Sequence, residues 1–144
     1  YQNPKMVIGC IAEWEGRVLL CRRAIEPRLG LWTLPAGFME NSETTAEAAA
    51  RETREEACAE VAIERLFALV NVPHIHQVHM FYTARLIDGQ FGAGIESLES
   101  RLFLESEIPW EALAFRSVSF ALRAWLEDRR TGRFGLHSTD LRPA

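Results

Sequence analysis

Apolar positions along the chain fall into short blocks divided by turn signals. Residues 6–12 (MVIGCIA) form a continuous, partly β-branched apolar run, the pattern of a buried strand. Glu15-Gly16 marks a turn, and Val18-Leu19-Leu20-Cys21 reads as the returning strand of a hairpin. Residues 27–30 read as a loop, and 31–34 are short and apolar, stopped by Pro35. Residues 44–57 hold neither Gly nor Pro and are rich in Ala, Glu and Arg, so they predict a helix. Thr44 with Glu47 three positions on makes a capping box that sets its start. Residues 61–72 read as a strand ended by Pro73, and 78–87 as another closed by Asp88-Gly89. A Gly-containing loop is expected over 91–100, then a short strand over 101–104. Residues 118–130 place Val118, Ala121, Leu122, Trp125 and Leu126 at helical spacing, and Gly132 ends that helix. The polar residues 137–144 are expected to be a loosely ordered tail. The fold class is α/β: a mixed β-sheet sandwiched between helices, with residues 1–144 as one domain.

Composition narrows the function. Sixteen Lys and Arg against twenty Asp and Glu give a formal net charge of −4, which argues against a general electrostatic grip on nucleic acid. No apolar run approaches the roughly 18 residues of a membrane span, and no basic-then-apolar leader marks secretion. Cys10, Cys21 and Cys58 are an odd set without C-x-x-C spacing. They read as reduced thiols used as small apolar residues, which fits a cytoplasmic location.

Chemistry concentrates in the helix over 44–57. At about 100° per residue, Ala46, Ala49, Ala50, Thr53 and Ala57 form one narrow stripe of small residues, suited to pressing against the sheet. Glu52, Glu55 and Glu56 share a neighbouring arc. Three carboxylates at i, i+3 and i+4 cost a helix roughly 0.2–0.5 kcal/mol per like-charge pair. Clustered acidic oxygens are what a hard divalent cation takes, and magnesium is commonly held by one or two carboxylates plus substrate phosphates. Upstream, Leu34-Pro35-Ala36-Gly37 leads out of a strand, and a backbone carbonyl at Ala36 or Gly37 could face the same ion. Glu43 stands just ahead of the helix, where it can pair with Arg51 and brace the loop.

The spacing Gly37-x5-Glu43-x7-Arg51-Glu52-x2-Glu55-Glu56 resembles the Nudix box of the Nudix hydrolases. The segments 18–23, 30–35 and 107–109 resemble the family's flanking regions. The opening Tyr1-Gln-Asn-Pro-Lys5 resembles a branch, linked to FAD and ADP-ribose cleavage, in which a small zinc ribbon precedes this point; that ribbon is absent from this sequence. Two positions depart from the box. Thr53 replaces a bulky apolar residue, and Cys58 replaces a glycine at the helix exit, where a left-handed conformation would cost a Cys roughly 1–2 kcal/mol.

The resemblance implies a Nudix fold and metal-dependent hydrolysis of the diphosphate of a nucleoside diphosphate linked to another group. FAD or ADP-ribose leads, with NADH or a nucleoside triphosphate as alternatives. It implies Mg2+ or Mn2+ on Glu52, Glu55 and Glu56 with Ala36 or Gly37. It also implies a small-molecule nucleotide as partner and dimers as a frequent state of relatives. Gly37, Glu43 and Arg51 are its structural box residues. The general base comes either from the box or from a later loop, where Glu96 is favoured over Glu99. Arg23 is the favoured phosphate contact. Trp32 and Phe38 flank the Pro35-Ala36-Gly37 turn, where each reads either as a core residue or as a ring that stacks on adenine or flavin. His74 and His76 alternate onto one strand face without a clear third partner, so they and His79 are not expected to hold a metal. The reading from another class is a Nudix-fold module that binds a nucleotide without turnover.

Overall fold

The computed structural model describes residues 2–143. Tyr1, the first residue of the opening segment, and Ala144, the last of the expected tail, lie outside the described residues. Strands β1 (Lys5–Trp14) and β2 (Arg17–Arg23) form the predicted hairpin. Glu15 and Gly16 both adopt positive φ (49° and 79°), the twist a two-residue hairpin turn requires. Then follow β3 (Trp32–Thr33), β4 (Ala36–Phe38), α1 (Thr45–Ala57), β5 (Val61–Val72), β6 (Gln77–Leu86), β7 (Ser97–Phe103), α2 (Arg116–Thr131) and β8 (His137–Asp140). One mixed sheet runs β3-β2-β1-β6-β5-β8, with β4 paired to β1 and β7 to β2. Its central pair, β1 with β6, is parallel over nine residue pairs, Lys5↔Gln77 to Glu13↔Arg85.

The helices cover opposite faces. On one, α2 contributes Val118, Ala121, Leu122, Trp125 and Leu126 to a core with Ile11, Phe67, Phe81 and Phe103. On the other, Ala48, Ala49 and Ala57 of α1 meet Ile8, Cys10, Leu19 and Cys21. Buried apolar area dominates the stability of both layers.

The predicted bounds of β5 coincide with the observed ones, and the capping box is present: Glu47 N–H donates to Thr44 Oγ1 (3.0 Å) and Thr44 N–H to Glu47 Oε1 (2.8 Å). Two expectations are corrected. The strand expected from residue 101 already begins at Ser97, which pairs with Arg23. The tail expected to be loose instead supplies β8, parallel to β5 from Ala68↔His137 to Asn71↔Asp140. His137 Nε2 contacts Asp128 Oδ2 (2.7 Å), its ring lies 4.9 Å from that of Phe67, and Asn71 donates to Asp140 (2.9 Å). A polar sequence becomes a strand there because its partners lie far away along the chain. Among the described residues no helix is long and apolar enough to cross a membrane.

Candidate active site

Helix α1 reaches the sheet through small side chains, as expected, but its buried stripe is rotated from the predicted one. Ala48, Ala49, Glu52, Thr53 and Ala57 are buried, while Ala46 and Ala50 are only partly covered. The rotation carries a carboxylate into the interface: Glu52 is 7% exposed. Gly37 explains how it fits. A Cβ built on Gly37 would overlap the Glu52 carboxylate, so the missing side chain on β4 is the space this group occupies. Thr53 is fully buried and returns its hydroxyl to the Ala49 carbonyl (2.8 Å), which removes the unpaired polar group its sequence position threatened.

Arg51 organises the rest. Its Nε donates to Glu43 Oε2 (2.5 Å) and Nη2 to Glu43 Oε1 (3.1 Å), a two-pronged pairing that matches the planar guanidinium. Its Nη1 donates to Glu52 (3.2 Å) and Glu55 (3.1 Å), and Nη2 also reaches the Phe38 carbonyl (3.1 Å). The Glu43 hydrogen bond raises the Arg51 pKa, and the same contact holds Glu43 below the usual carboxylate range. Loop, strand and helix are thereby locked together by one side chain.

The three glutamates do not converge as one cage. Among the described residues no three His, Cys, Asp or Glu side chains are gathered closely enough to enclose an ion. Glu55 is exposed and turned to Arg51. Glu52 and Glu56 form the inward pair. Burial, then Glu52's charge, push the Glu56 carboxyl up to about 8, against the Ala36 amide and Arg23, while Glu96 adds to the rise. Burial also raises Glu52, with Arg51 opposing. A buried carboxylate and a partly buried one that repel each other, without a full complement of protein cations, form a hard-oxygen donor set that suits Mg2+ or Mn2+.

Backbone register separates the two candidate carbonyls. Met39 N–H bonds to Met6 O (2.9 Å) and Cys10 N–H to Pro35 O (3.1 Å) across the antiparallel β1–β4 pair. Alternation then makes Ile8 and Gly37 a bonded pair and directs the Gly37 carbonyl into the ladder. The backbone groups of Ala36 and Phe38 point away from β1, toward Glu56 and Arg51 respectively.

The exit of α1 is closed by the loop that carries Glu96. Gly92 N–H bonds to Ala57 O (2.7 Å), Gly94 N–H to Glu56 O (3.0 Å) and Ile95 N–H to Glu55 O (2.8 Å), and Ser97 Oγ adds a bond to Glu56 O (2.8 Å). A Cβ on Gly94 would overlap the Glu55 carbonyl. These bonds satisfy the carbonyls a helix end leaves free. They also hold Glu96 beside Glu56. Cys58 takes the left-handed conformation (φ 51°) anticipated at the helix exit. Burial pushes the Cys10 and Cys21 thiols up to about 12, which fits their reading as apolar filling.

Other expected residues divide. Arg23 donates to Pro27 O (2.8 Å), rests over the Phe115 ring (5.0 Å) and is near enough to Glu56 to favour its ionised form. Arg22 turns away to Gly30 O and Glu99. Of the two roles open to Trp32 the core one is taken: it is buried, edge-on to Phe103 at 4.9 Å, in the α2-side core, and has no free face for stacking. Phe38 is half exposed, with Lys5 Nζ 4.9 Å over its ring. It borders a depression of about 520 Å³ lined by Asn3, Lys5, Met39 and Asn41 among others. His74 lies in a 3-10 turn, His76 just follows it, and both are exposed; the buried His79 is held by Ser117 (2.7 Å) and Gln77 (2.8 Å). Phe115 and Ser97 escaped the sequence reading, since nothing local to them marks a partner ninety or forty residues away.

A family model described as NUDIX domain matches residues 3–124. The chain belongs to the Nudix hydrolase family. It is 28% identical over 113 residues to an ADP-ribose pyrophosphatase of Methanocaldococcus jannaschii, covering 76% of this chain and 67% of that protein. It is 30% identical over 117 residues to the putative ADP-ribose pyrophosphatase YjhB of Bacillus subtilis, covering 76% of this chain and 54% of that protein. A solved Nudix hydrolase from Nitrosomonas europaea superposes with a TM-score of 0.92 at 55% identity, over 98% of this chain and 81% of that one.

Proposed function

We propose that the chain hydrolyses the diphosphate bridge of ADP-ribose to AMP and ribose 5-phosphate. The observation that carries this reading is the Glu52–Glu56 pair: the Glu52 carboxylate is buried in the space left open by Gly37, and its charge acts on the partly buried Glu56 beside it. The names of the two relatives support ADP-ribose as the substrate. Glu52 and Glu56 would hold Mg2+ or Mn2+ with the Ala36 carbonyl, and Glu55 would serve at the exposed rim. Such an ion, when bound, neutralises the diphosphate, polarises a phosphoryl oxygen and lowers the pKa of bound water.

The remaining roles belong to the chain. Arg23, steadied by Pro27 and Phe115, pairs with a phosphate of the incoming anion. Arg51 is a positioning residue: it keeps Glu52 and the 38–43 loop in register. Glu96 accepts the proton of the attacking water. The water oxygen bonds to one phosphorus as the bond from that phosphorus to the bridging oxygen breaks, and the bridging oxygen departs with the other phosphate. Phe38 offers its free face to the adenine. The net charge of −4 would repel such a substrate without bound cations.

The test is a product assay by chromatography on ADP-ribose, FAD, NADH and ATP, each with Mg2+ or Mn2+. AMP and ribose 5-phosphate are expected from ADP-ribose. Glu56→Gln should lower kcat by about 10²-fold or more, the scale of losing one electrostatic group at a reacting centre. AMP and FMN from FAD, with ADP-ribose intact, would move the substrate and leave the chemistry standing. Binding of ADP-ribose without cleavage of any of the four would replace the enzyme with a nucleotide-binding module.

A further inference from the structure

Strand β7 is bonded along one side. Its partner is β2, and among the described residues no strand takes its other edge. Parity identifies the backbone groups left over. Arg23 N–H donates to Leu31 O (2.9 Å) on the β3 side, so odd-numbered β2 residues turn their backbone groups to β3. Val18, Leu20 and Arg22 therefore turn theirs to β7, where Phe103, Arg101 and Glu99 stand opposite. The N–H and C=O groups of Ser100 and Leu102 consequently point outward. The one irregularity of the pairing falls between Arg22 and Arg23, at Leu98, and leaves 99–103 in unbroken register.

The residues on this edge complement themselves. Leu98-Glu99-Ser100-Arg101-Leu102 reads apolar, charged, Ser, charged, apolar in both directions, with the two charges of opposite sign. Two copies aligned antiparallel about Ser100 bond Ser100 to Ser100 and place each Glu99 opposite the other copy's Arg101. Leu98 then faces Leu102. Glu99 and Arg101 occupy the non-hydrogen-bonded pairing, in which side chains approach most closely. Moving the two-fold to residue 99 or 101 also satisfies the backbone, but sets Glu99 on Glu99 or Arg101 on Arg101. The charges thus select one register. Phe91, Ile95, Leu98 and Leu104, all exposed, crowd the same stretch, and Glu99 is held by Arg22 only at 3.6 Å. An open edge with this pattern is a template for pairing.

We propose that two copies of this chain form a two-fold dimer through antiparallel β7–β7 pairing centred on Ser100, joining their sheets edge to edge. Sedimentation of the chain across micromolar concentrations reads the dimer and its dissociation constant. Ser100→Pro removes a backbone donor that points outward and no backbone donor that β2 uses, losing on the β2 side only the long Ser100 Oγ to Cys21 Sγ contact (3.5 Å), so it should give a monomer with an unchanged circular dichroism spectrum. Glu99→Arg and Arg101→Glu should each raise the dissociation constant at least about tenfold, through like-charge pairs at two symmetric places. The double exchange Glu99→Arg with Arg101→Glu should restore the dimer. A wild-type monomer throughout the range overturns the proposal, and so does a dimer that persists in both Ser100→Pro and Glu99→Arg.

Discussion

On the face covered by α2 the sheet meets Trp32, Phe67, Phe81, Phe103 and Trp125; on the face covered by α1 it meets Ala48, Ala49, Ala57, Cys10 and Cys21. The first layer is thick and built from rings, and two of its buried polar groups, His79 and Ser117, bond each other. The second is thin, and a helix can approach closely enough to press a carboxylate into the gap left by Gly37. Large side chains bury more apolar surface per residue, whereas small ones bring charged groups to defined positions beside a backbone. On the function proposed above, stability and chemistry are divided between the two faces on that basis.

Four outcomes would sharpen or break this division. Phe67→Ala, in the ring-built layer, should destabilise the fold by about 3–5 kcal/mol in a urea titration, with kcat unchanged in the molecules that remain folded. A large fall in kcat with stability preserved would place the chemistry on the wrong face. Gly37→Ala, in the thin layer, should do the reverse: the new Cβ displaces the Glu52 carboxylate and lowers kcat/KM by roughly 10²-fold, while the melting temperature changes little.

A third outcome concerns pH. The folded-state pKa of Glu56 is raised to about 8, foremost by burial, so the folded chain holds a proton that the unfolded chain has already released. Stability in chelator should therefore fall as pH rises from the ordinary carboxylate range to about 8, then level off. Melting curves from pH 5 to 8.5 read this slope, and Glu56→Gln should lack it. Added Mg2+ should flatten it, since an ion that binds the ionised pair offsets their repulsion. The smallest effect is at the helix exit. Cys58→Gly relieves a left-handed side chain and should stabilise by about 1 kcal/mol, less the added freedom of the unfolded glycine.

Legibility followed the range of the interaction. The capping box of α1 and the turn at Glu15-Gly16 complete their hydrogen bonds within a few residues, and both were readable. The pairing of Glu43 with Arg51, eight positions apart, could be anticipated from charge and spacing along one loop and helix. Trp32 could not be assigned in the same way. An aromatic beside a Pro-Ala-Gly turn suits both a binding face and a core, and only Phe103, seventy-one residues on, decides for the core.

The order of residues alone determined where α1 starts, that it meets the sheet through small residues, and that three acids share one side of it, because backbone geometry and side-chain period act locally. Tertiary contact decided the rest. It turned Glu52 inward and Glu55 outward, directed the Ala36 carbonyl away from the ladder, made a strand of His137–Asp140 and left one edge of β7 open. Each of those outcomes depends on which distant segment lies alongside, and strand pairing and burial are settled only when the whole sheet has assembled.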